Sequence, residues 1–61
     1  MKRLDLTRHL KKYGCTVMRE GGNHTIYING ITKKISAIPR HNEIKKYLVD
    51  KICKDLGIVK P

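Results

Sequence analysis

The stretch His24-Thr25-Ile26-Tyr27-Ile28-Asn29-Gly30 decides how the chain is read. Ile26-Tyr27-Ile28 is apolar on both parities, so His24–Ile28 reads as the central strand of a sheet. Asn29-Gly30 behind it is a strong hairpin signal and predicts a type I′ turn. In front lies Gly21-Gly22-Asn23, a break rich in glycine. Before that, Cys15 to Glu20 alternates and is rich in Thr, Val and Met, which predicts a first strand. Beyond Gly30, Ile31 to Ile38 predicts a third strand ending at Pro39, with the adjacent Lys33 and Lys34 on opposite faces.

Helices flank these strands. Leu6, Leu10 and Tyr13 recur at i, i+4 and i+7, which predicts a helix over Leu4–Tyr13 with Gly14 as its stop. Leu48, Ile52 and Leu56, with Val49 and Cys53 alongside, predict a second helix over Lys45–Leu56 that Gly57 ends. Ile58-Val59 is expected to fold back onto the core. The order is α-β-β-β-α, and the predicted fold class is α+β: a three-stranded antiparallel sheet with both helices on one face and the other face free. Sixty-one residues make one domain, 1–61, with a thin core.

Fourteen Lys+Arg against five Asp+Glu give a formal charge of +9. Self-repulsion of that size points to a polyanionic or acidic partner, with nucleic acid first. No segment approaches the ~20 apolar residues of a spanning helix, and Met1-Lys2-Arg3-Leu4-Asp5 lacks the apolar run of a signal peptide. Cys15 and Cys53 form no CxxC and read as reduced, buried thiols of a cytoplasmic protein. His9, His24 and His41 match no metal-ligand spacing, so neither a metal nor a cofactor is expected. His9, at the edge of an apolar stripe, reads as partly buried packing, and Tyr13 as core.

His24 carries the chemistry. Its position after two glycines lets a ligand approach the backbone closely, and imidazole both takes and gives a proton near neutral pH. On RNA it could act as general base toward a 2′-hydroxyl or general acid toward the leaving 5′-oxygen, with no metal required. An ordinary imidazole pKa of about 6.5 suits either role. The duller alternative is a strand-end histidine with no task. Candidate RNA-binding residues are Gly22 and Asn23 in the loop, Arg19, Lys33 and Lys34 on the flanking strands, and Arg40 with His41 after Pro39. Arg40 and His41 could equally form a simple loop before the last helix, in which Asn42 and Glu43 cap that helix.

In sum of parts, the chain resembles the HicA family of bacterial toxins, small ribonucleases paired with HicB antitoxins. The features that carry it are Leu6-Leu10-Gly14, Gly22-Asn23-His24, Tyr27, Ile38-Pro39-Arg40-His41 and Ile52 to Gly57-Ile58, in order and spanning nearly the whole chain. Asn23 stands where the family more commonly has Ser, and Tyr47-Leu48 where it often has Gly-Thr. The resemblance implies a fold similar to a double-stranded-RNA-binding domain, catalysis by His24, mRNA cleavage that arrests growth, and neutralisation by a HicB-type antitoxin. Two other functions fit the residues: a non-catalytic RNA-binding module of the same fold, and an interaction protein whose charge serves an acidic partner.

Overall fold

The computed structural model describes all residues, Met1–Pro61. The elements run α1 (Arg3–Lys12), β1 (Cys15–Glu20), β2 (His24–Asn29), β3 (Ile35–Pro39) and α2 (Lys46–Leu56), giving the expected α+β order. The strands form one antiparallel sheet in the order β1-β2-β3, so the stretch read as central is central. Alternation then sets the faces. Thr25, Tyr27 and Asn29 of β2 and Ser36 and Ile38 of β3 are buried, whereas Ile26, Ile28, Ile35 and Ala37 face outward.

The core joins this inner face to both helices. Leu6 and Leu10 of α1 and Val49, Ile52, Cys53 and Leu56 of α2 pack with Cys15, Tyr27 and Ile38 in one apolar cluster. The stripe of α2 is thus Val49-Ile52-Cys53-Leu56, and the predicted Leu48 lies at its edge, partly buried. Tyr13 is not core. It caps α1 with its ring half out, 4.9 Å from the His9 ring. His9 itself is partly buried, with Nε2 2.7 Å from the Val59 carbonyl oxygen. Cys15 and Cys53 are free and buried, and burial pushes both thiols up, with the Asp50 carboxylate adding to the effect on Cys53.

Both helix stops are as read. Gly14 and Gly57 take left-handed backbone angles, φ +83° and +72°, where a side chain is strained. Ile58 donates its N–H to the Cys53 carbonyl and packs back on the core, as expected, whereas Val59, expected there too, is exposed.

The β2–β3 connection differs from the prediction. Gly30 has no positive φ, so Asn29-Gly30 is not a type I′ turn; Lys33 takes the left-handed angle instead, φ 65°. The third strand begins at Ile35 rather than Ile31. Asn29 explains both. It points inward, and its Nδ2 donates to the Leu56 carbonyl oxygen at 2.8 Å while its Oδ1 accepts from the Ile31 N–H at 2.8 Å and the Thr32 N–H at 3.3 Å. An Asn whose side chain is tied to α2 and to two following amides opens the turn into a wider loop. Lys33 and Lys34 therefore sit in that loop and not on a strand.

The loop before α2 also departs from expectation. Asn42 is no cap; its carbonyl accepts the Arg3 N–H at 2.8 Å, and Lys45 precedes α2 with no side-chain cap. Lys2 and Glu43 form a short antiparallel bridge, and Ile44 is buried beneath it. These contacts fasten the segment that carries Arg40 and His41 to the start of α1.

Candidate active site

His24 opens β2, opposite Pro39 of β3. Its ring is exposed on the outward side of the sheet. Gly22-Asn23 forms the bend before it, closed by the Gly21 N–H donating to the His24 carbonyl oxygen at 2.8 Å. A Cβ on Gly21 would sit 3.0 Å from that same oxygen, closer than an ordinary van der Waals contact, so the tight closure favours glycine there. A Cβ on Gly22 would meet nothing, and the space beside it stays open for a ligand.

Gly22, Asn23, His24, Pro39, Arg40 and His41 line one shallow depression. The sequence set is thereby sorted. Gly22, Asn23, His24, Arg40 and His41 come together. Arg19 is exposed on β1, opposite Ile26 on the outward face, beyond a bulge in the β1–β2 pairing at Met18. It flanks the depression without lining it. Lys33 and Lys34 are not nearest the site. They lie at the other end of β2, where the Lys34 side chain reaches Gly57, about 17 Å from His24 at a rise of ~3.3 Å per residue.

A polar network missed by sequence reasoning holds the corner. Arg40 Nη2 donates to Glu20 Oε1 at 2.7 Å and to the Gly21 carbonyl oxygen at 2.6 Å. Glu20 Oε1 also accepts from the Thr25 hydroxyl at 2.8 Å. Thr25 Oγ1 in turn accepts from Arg3 Nη2 at 3.1 Å, and Arg3 Nε donates to the Pro39 carbonyl oxygen at 3.0 Å. Four elements meet here: α1, the end of β1, the start of β2 and the end of β3. The bonds run between the neighbours of His24 and leave its imidazole unengaged. A guanidinium carries five donors, so Arg40 can hold the bend through Nη2 and still present its other N–H groups to an anion.

The Arg40–Glu20 pair is half-exposed on both sides, and such pairs contribute about 0.2–1 kcal/mol. Arg40→Ala should therefore melt within a few degrees of the parent. Its Gly21 amide should nevertheless exchange with deuterium faster, because the bend loses its brace. Unchanged exchange at Gly21 would show that the brace is ornamental.

Chemically, the depression offers two imidazoles and a guanidinium on a cationic body, with no carboxylate among its lining residues. That suits a phosphodiester, with proton donors and acceptors beside a positive charge. No group of three His, Cys, Asp or Glu side chains gathers anywhere in the chain, and no helix is long and apolar enough to cross a membrane. In comparisons with known proteins, the sequence model of the family described as HicA toxin of bacterial toxin-antitoxin matches residues 4–58. Searches among curated proteins and among solved structures each gave no match.

Proposed function

Since the chain belongs to the HicA toxin family of bacterial toxin–antitoxin systems, we propose that it is an endoribonuclease that cuts mRNA at the His24 depression. The observation that carries this reading is the pairing of His24 with His41 and Arg40 around one open hollow on a chain of charge +9. One imidazole removes the proton of a ribose 2′-hydroxyl. The 2′-oxygen attacks the neighbouring phosphorus, and the bond to the 5′-oxygen breaks as a second group donates its proton there. The products are a 2′,3′-cyclic phosphate and a free 5′-hydroxyl. His24 is the residue we assign to proton transfer, and His41 is placed to be the complementary group. Arg40 meets the extra negative charge of the pentacovalent phosphorane, for which a preorganised cation is worth most.

Gly22 and Asn23 bring the RNA backbone against the bend, and Arg19 extends the positive field beside it. Binding should fall as salt rises, because phosphate contacts release counterions. The partner is an antitoxin, which on this reading is of the HicB type and closes the depression. The cytoplasm, where mRNA is found, is the setting.

Purified protein incubated with RNA, with and without EDTA, tests the reading. Cleavage that persists in EDTA and leaves cyclic phosphate ends is the expected result. Cleavage that EDTA stops would overturn the metal-free route. RNA that binds and is recovered whole would favour the non-catalytic RNA-binding alternative.

A further inference from the structure

A second groove runs along the other side of β1, between that strand and α1, with a volume of about 350 Å³. This lies at the lower end of the range for small-ligand pockets, ~300–1,000 Å³. Arg8 and Lys11 stand on its α1 side; Thr16 and Val17 form its β1 side; Cys15 and Tyr27 lie at its base. Arg8 and Lys11 are three residues apart, so they share one helix face, and both are exposed. Neither takes part in any ion pair, while Glu20, Glu43, Asp50 and Asp55 all do. No carboxylate lines the groove.

We propose that this groove takes one unstacked nucleotide of single-stranded RNA, with its base on the Val17–Tyr27 side and its phosphates on Arg8 and Lys11. The assignment follows from the combination of surfaces. An apolar slot bordered by unpaired cations matches a group that is flat and apolar at one end and anionic at the other. Single-stranded nucleic acids are held in this way, by a positive track for the backbone and a surface for the bases. A base inside a duplex is stacked and paired, and could enter only after unstacking. The groove lies about 13 Å along β1 from Glu20, at ~3.3 Å per residue, which places it a short length of chain away from His24. It thus defines a preference for unpaired substrate. The inference rests on the RNA reading above for its ligand, but its test does not depend on cutting.

The experiment uses His24→Ala protein, so that RNA stays whole, and a fluorescent single-stranded oligoribonucleotide titrated at several salt concentrations. Arg8→Ala/Lys11→Ala is compared with Lys45→Ala/Lys54→Ala, which removes equal charge from exposed lysines that form no ion pair elsewhere. The groove pair should weaken binding about 10-fold or more and lower the salt slope by about 1.4, at ~0.7 per lost phosphate contact on a single strand. The control pair should change both far less. A hairpin-duplex RNA of equal charge should bind more weakly than the single strand and respond little to the groove substitutions. Equal losses from the two pairs, or duplex binding as tight as single-strand binding, would overturn the proposal. So would oligoglutamate binding with the same affinity and the same sensitivity to Arg8→Ala/Lys11→Ala, which would identify an acidic peptide as the occupant. If the parent cleaves RNA but the groove pair behaves like the control, the groove assignment alone fails. If RNA is never cleaved but binding depends on the groove, the nuclease reading alone fails.

Discussion

His24→Ala reduces RNA cleavage by about 10²–10⁴, the range for losing one positioned acid–base group, and expression of the variant no longer arrests growth. The fold should survive unchanged. The ring is exposed and its only contribution to the bend is a backbone carbonyl, which Ala retains. Circular dichroism and the melting temperature should match the parent, so a loss of activity can be read as chemistry. His41→Ala is the companion experiment. If the two imidazoles divide the proton transfers, the parent shows a bell-shaped dependence of rate on pH, and His41→Ala flattens one limb. Full cleavage by His24→Ala would remove this residue from the mechanism whatever the role of His41.

Asn29→Ala, at the opposite end of the same strand, should give the largest loss of stability among the polar positions. The side chain is 3% exposed. Its removal leaves the Ile31 N–H without its acceptor and withdraws the shorter of two donors to the Leu56 carbonyl; the Thr32 hydroxyl remains at 3.4 Å. The loss of these bonds, together with the longer one from the Thr32 N–H, at ~1 kcal/mol each suggests a cost of about 2–3 kcal/mol. For a domain of this size that corresponds to a fall in melting temperature of roughly 10–20 °C. Asn29→Asp should be no better, since a carboxylate would face the Leu56 carbonyl oxygen with nothing to donate. A melt of Asn29→Ala within two or three degrees of the parent would mean that the loop rearranges freely and that Asn29 is not its anchor.

The contrast between these two residues shows what could be read from sequence. The placement of His24, exposed where a bend enters the central strand, was legible because its signals are local: glycines, an amide and an imidazole in a row before an apolar strand. Gly14 and Gly57 were legible for the same reason, each ending a periodic stripe. Asn29 was misread because its role is set by Leu56, distant in the chain, and Asn-Gly taken alone speaks for a tight turn. The displacement of Lys33 and Lys34 from the site follows from that one misreading. Glu20, Thr25 and Arg3 escaped notice because nothing local joins them; they meet only once both sheet edges and α1 have assembled. Ile44 escaped as well. An isolated apolar residue between Glu43 and Lys45 has no period, though its hydrophobicity within a polar run is a signal in hindsight.

The outward face of the sheet has a physical consequence of its own. Ile35, exposed, and Ile26 and Ile28, partly exposed beside it, give this face an oily strip on a molecule whose high net charge repels its own copies. Colloidal stability of the free protein is then a contest between adhesion, which needs contact, and repulsion, which acts over a screening length of ~10 Å at 0.1 M salt but only ~3 Å at 1 M. Strong brine should accordingly promote clumping here, whereas for many basic proteins it promotes dispersal.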